Sequence, residues 1–258
     1  MEDEELLLLK EYYQLDSTFP FKRNSRGYRN FYMLLEELYN IEEKYDDTYT
    51  NYSSKHYFSL LDQFFQTMLD PSLYETLPIY YQKTTIKPDC ESEVVISLDH
   101  EKRKANVEEI VLEGNDNSLH LLIGVHEYIH ALLFEHYQVI GNLYYSELLS
   151  MVFEKLASHH FEKKKLDPNL YMRSLKERLI NLQDSYLFDC GMEKYLLSDI
   201  YATALFDLYQ EHPEPLKKDI NTILKGHDTL ENFLTDYKVS LENKMTTSSN
   251  HKVLKKFY

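Results

Sequence analysis

Glycine and proline are scarce in this chain, six and seven among 258 residues. Few tight turns can be built from so few of them, so long helices are expected rather than many short strands. Tryptophan is absent, and cysteine occurs only as Cys90 and Cys190, with no CxxC pair. Two isolated thiols exclude a disulfide framework and fit a cytoplasmic protein with reduced cysteines. Basic residues are outnumbered, 28 against 43 acidic, and the net charge is −15. Such a field repels phosphate backbones, so nucleic acid is not an expected partner. Apolar runs are short as well: none approaches the roughly 20 residues that a spanning helix needs, which argues against a membrane partner. The opening stretch MEDEELLLLKEYY lacks the basic region of a secretion signal.

What is present suits a globular core, with 43% hydrophobic and 28% charged residues. The 23 tyrosines are read as compositional bias rather than as a binding surface. Residues 1–15, 27–46 and 54–70 have the spacing of amphipathic helices. In the last of these Phe58, Leu61, Phe65 and Met68 fall on one stripe. Asp70-Pro71 stops that helix, and Pro78 and Pro88 mark an irregular stretch. Two β-branched segments, VVISLD (94–99) and VEEIVLE (107–113), then form an antiparallel hairpin. Gly114 and NDNS (115–118) supply a turn and an N-cap for the next helix, with a stop at Gly141-Asn142. Further helices are expected over 144–164, 169–187, 192–211 and 214–226, followed by a loose basic tail. The organisation is an N-terminal helical region (1–90) packed on a core (91–240), with a flexible tail (241–258).

The segment LHLLIGVHEYIHALLF places two histidines and a glutamate among apolar neighbours. Residues four apart share a helix face, so His126 and His130 can offer nitrogens to one cation. Glu127, turned away from that line, can face water without ligating. This is the HExxH arrangement, in which two histidines hold zinc and the glutamate is the general base. So short a pattern also arises by chance, and paired histidines in an apolar helix are often hydrogen-bonded core residues. The surrounding sequence has to decide. A catalytic zinc site needs a third protein ligand. His136 has the spacing of the metzincin pattern, but that pattern needs a glycine where this chain has Leu133. On a continuing helix His136 points away from the pair. Glu147 and Glu154, seven apart, share a face of the following helix. A plain antiparallel hairpin turning at Gly141 puts Glu154 nearest the level of His130.

SELLSMVFEKL looks like the glutamate helix of the oligoendopeptidase F and thimet-oligopeptidase family of gluzincin metallopeptidases, whose pattern is roughly E-x-x-S-x-x-x-E. The segment DIYATALFDLYQEHPEPLKKDINTILKGHDTLENFL is similar to the end of that family's domain, and the likeness spans about residues 93–237. Members are usually far longer, and the histidine and glycine-tyrosine segment before their tyrosine helix has no counterpart here. The resemblance implies a mainly α-helical, zincin-like peptidase domain with a small antiparallel hairpin before the HExxH helix. It implies one Zn²⁺ per chain held by His126, His130 and Glu147, with Glu154 in support. It further implies Glu127 as general base, Tyr201 as the donor to the transition state, and a short peptide as substrate. The rival expectation is a non-catalytic helical binding protein that retains such a fold, and stoichiometric zinc separates the two. His159-His160 read as cations at a helix end, Cys190 as a packed residue, and Tyr137, Tyr144 and Tyr145 as packing residues. Oligomeric state is not legible.

Overall fold

The computed structural model describes residues 52–99, 104–115, 117–136, 143–171, 173–174, 193–227 and 232–237. The helices expected over 1–15 and 27–46, most of the one over 169–187, the tail, Gly141-Asn142, Tyr137 and Cys190 lie outside these residues. Within them the chain is mainly helical, with one small sheet: α1 (Ser54–Met68), α2 (Pro71–Tyr74), α3 (Leu77–Gln82), β1 (Thr84–Ile86), β2 (Glu93–Asp99), β3 (Lys104–Leu112), α4 (Ser118–His136), α5 (Leu143–Lys163), α6 (Glu193–Glu211) and α7 (Pro213–Leu224). No helix among the described residues is long and apolar enough to cross a membrane.

α1 begins where Ser53 accepts the His56 N–H, and it buries Tyr57, Leu60, Leu61, Phe64, Phe65 and Met68. Phe58 of the expected stripe is only half-buried, because Tyr57 and Phe64 turn the inward face by about one position. Full burial of side chains this size is worth about 1.5–3 kcal/mol each. One continuous apolar core runs from Tyr52 to Phe233 across position 90, so residues 52–90 and the rest share a single interior.

The stretch after Asp70 is more regular than its prolines suggest. Pro71 and Pro78 sit in the first turns of α2 and α3, where a missing N–H costs nothing. The hairpin of β2 and β3 is present, and β1 adds a parallel third strand, so the order is β1-β3-β2 with mixed pairing. Three residues are too short for an alternation pattern to be seen in sequence. β1 is held in place from outside: Thr84 Oγ1 donates to the Tyr80 carbonyl at 2.8 Å and lies 2.7 Å from the Tyr128 hydroxyl on α4. Between Val95 and Ile96 the register skips Glu108, a bulge in the central strand.

α4 is buried on nearly all sides, by Leu121, Leu122, Val125, Tyr128, Ile129, Ala131, Leu132 and Leu133. Its N-terminus is capped by Asn117 Oδ1, which accepts the His120 N–H at 2.9 Å. Tyr57 of α1 donates its hydroxyl to the His120 carbonyl at 2.7 Å, which brings the tip of its ring against Gly124. A Cβ at Gly124 would sit 2.2 Å from that hydroxyl oxygen. Gly124→Ala is therefore expected to destabilise by about 1–3 kcal/mol, despite alanine's better helix propensity. Denaturant unfolding should show part of the loss recovered in the Tyr57→Phe background, where the clashing oxygen is gone.

A second clamp joins α7 to the end of α1. Asn221, 1% exposed, accepts the Asp70 N–H (2.7 Å) and donates to the Met68 and Lys217 carbonyls (3.0 and 2.8 Å). Lys225 pairs with Asp70 alongside it. Asn221→Leu leaves a buried N–H and a buried carbonyl without partners and should cost about 1–3 kcal/mol or more in unfolding free energy.

Candidate metal centre

α4 ends at His136 and α5 starts at Leu143. His130 lies against Glu147, while His126 reaches both Glu147 and Glu154. Glu147 and Glu154 thus bracket the two histidines from opposite levels. This departs from the simple turn at Gly141, which puts Glu154 opposite His130. The helix also runs unbroken through Leu133 to His136, so the chain does not fold His136 back toward the pair.

His126, His130 and Glu147 are drawn into one cluster, their ligand-type atoms all within 4.8 Å of one another. His126 Nε2 lies 2.8 Å from His130 Nε2 and 3.3 Å from Glu147 Oε2, and His130 Nε2 lies 3.7 Å from the same oxygen. Tetrahedral zinc with bonds of about 2.0–2.1 Å holds its ligand atoms roughly 3.3 Å apart. The triangle matches that spacing, and the donor set, two imidazoles and a carboxylate, is one zinc accepts. Among the described residues, Glu147 Oε2 is buried with no partner outside the two imidazoles, His130 Nδ1 is buried with none, and Phe134 stacks on the His130 ring.

Glu154 does something different. Its Oε1 lies 2.5 Å from His126 Nδ1, on the far side of the ring from Glu147. A carboxylate there accepts a hydrogen bond from Nδ1–H and leaves Nε2 aimed at the cluster, the support that metal-binding histidines usually receive.

The electrostatics of the cluster favour a positive charge at its centre. Burial works against charging His126, but the hydrogen bonds to Glu147 and Glu154 outweigh it and raise its pKa to about 10. His130 is lowered, by burial and by its neighbour His126. Burial alone would raise Glu147, yet the bonds to His126 and His130 hold it at about 2. Glu127 is pushed up to about 7, by burial first and then by Glu147, Glu154 and Glu93 against the opposing pull of His126. Glu127 is 8% exposed and has no hydrogen bond or ion pair among the described residues. A buried carboxylate without a partner is costly, and that cost goes with function more often than with stability.

The other expected residues are placed as follows. Tyr201 lies on α6, which packs along α5, and is half-buried against the common core. The interactions just described join the two histidines and two glutamates without it. His160 lies in the last turn of α5 with Lys163, and the rings of His159 and His160 meet Phe206 and Phe64 edge-on. Burial first, and the nearby lysines second, lower both pKa values. Cys90 is a free, half-buried thiol. Tyr144 and Tyr145 lie on α5. Ser150, the serine of the E-x-x-S-x-x-x-E pattern, lies on the face between Glu147 and Glu154, its hydroxyl buried without a partner among the described residues. Its spacing of three from one glutamate and four from the other places it there.

No protein-family model matches the chain, and no curated protein or solved structure is found similar to it.

Proposed function

We propose that this chain is a zinc-dependent metallopeptidase of gluzincin type with a zincin-like domain, hydrolysing peptide bonds in short peptides. The observation that carries the reading is the meeting of His126 Nε2, His130 Nε2 and Glu147 Oε2 beside a buried Glu127 that has no hydrogen bond or ion pair among the described residues. His126, His130 and Glu147 would hold the ion, and Glu154 orients His126 from behind. Zinc supplies Lewis acidity, polarising a carbonyl oxygen and making water a stronger acid. Glu127 accepts the proton of the attacking water and returns it to the leaving amine. Tyr201 is assigned as the donor to the developing oxyanion. The peptide lies as an added strand on the edge of β2, which among the described residues pairs on one side only. Reduced thiols and an acidic surface suit work in the cytoplasm.

The test is elemental analysis of the purified chain beside His126→Ala, together with cleavage of a mixture of short peptides. About one zinc per wild-type chain and little in the variant is expected. A metal-free chain that keeps its fold through chelation and takes up no added zinc sinks the reading.

A further inference from the structure

β2 presents two faces. Val94 and Ile96 turn inward to pack on the core, while Glu93, Val95 and Ser97 turn outward and are exposed. The outward face of the neighbouring strand adds two more carboxylates. Glu109 stands opposite Val95, and the bulge brings Glu108 to accept the Ser97 hydroxyl at 2.5 Å. Glu109 is neutralised by Lys87 at 3.2 Å. Glu93 has no hydrogen bond or ion pair among the described residues, and its charge is close enough to act on Glu127. Val95 beside it is 38% exposed and Leu98 46%.

From this arrangement we infer that the site selects cationic peptides, with Glu93 pairing a lysine or arginine side chain of the substrate close to the scissile bond. The inference rests on the peptidase reading and names its substrate class. A strand added to the edge of β2 places every second side chain on the same face as Glu93, with Cβ atoms about 4.5–5.5 Å away. A basic side chain there meets a carboxylate that is unpaired among the described residues, and an apolar one two residues along meets Val95. An acidic side chain meets Glu93 head on, with Glu108 near. The net charge of −15 acts in the same direction at long range, drawing cationic peptides in and holding acidic ones off.

The test uses the zinc-loaded full chain and a set of peptides of one length that differ at a single position, carrying Lys, Gln or Glu. At the position facing Glu93, kcat/KM should fall in the order Lys, Gln, Glu, by about 2- to 5-fold at each step. Glu93→Gln should level that ranking and Glu93→Lys should reverse it. Raising the salt removes the long-range part common to all positions and leaves the dependence at this one. A wild-type ranking that is flat, or one that survives Glu93→Lys, overturns the inference while the peptidase reading stands. If none of the peptides is cut by zinc-loaded protein, the peptidase reading fails and the inference falls with it.

Discussion

Glu127→Gln is expected to bind zinc almost as the wild type does and to lose peptide hydrolysis by about 10²–10⁴-fold. The amide has nearly the same size and shape, so the buried surroundings of α4 need not repack. Glu127 is also outside the triangle formed by His126, His130 and Glu147, so the ligand atoms are untouched. Only the ability to accept a proton is removed. The loss should appear in kcat, with KM little changed, because the group acts in the transition state rather than in binding the peptide. Elemental analysis and a steady-state assay on the same preparation check both halves. Full activity in this variant removes the mechanism, whatever the metal content.

The second large effect separates the two glutamates of α5. His130→Ala and Glu147→Gln should each lose most of the zinc, since two remaining ligands do not make up a tetrahedral site and a neutral amide replaces carboxylate poorly. Glu154→Gln should weaken zinc about 10- to 100-fold and no more, because it acts through the His126 ring and not on the ion. His136→Ala should leave about one zinc per chain, since α4 carries that residue onward instead of folding it back. Competition titration against a chelator of known affinity ranks the four variants. Glu154→Gln costing more than Glu147→Gln would exchange their roles. Loss of metal in His136→Ala alone would mean that the end of α4 bends.

Much of this was legible from residues in order. Spacing alone set His126 and His130 on one helix face, since four residues bring side chains nearly one turn apart whatever surrounds them. The hairpin, the Asn117 cap and the boundaries of α1, α5, α6 and α7 are local matters of propensity and turn chemistry, and they fell within a few residues of expectation. Scarce glycine and proline likewise foretold a mainly helical chain. The division of labour between Glu147 and Glu154 was not legible. Both lie on one stripe of α5, and which one meets the two Nε2 atoms and which the His126 Nδ1 depends on how far α5 slides along α4. A slide of seven residues, about 10.5 Å of rise, would bring Glu154 to where Glu147 stands. That slide is set by the packing of two buried helices against a shared core, with many side chains contributing and none decisive. β1 escaped notice for a similar reason: three residues carry no periodicity, and Thr84 is a strand residue because β3 and the Tyr128 hydroxyl are beside it. That Glu127 finds no hydrogen bond or ion pair among the described residues is tertiary as well. Sequence places a glutamate in an apolar helix, but only the neighbours that fold around it decide whether its charge is answered.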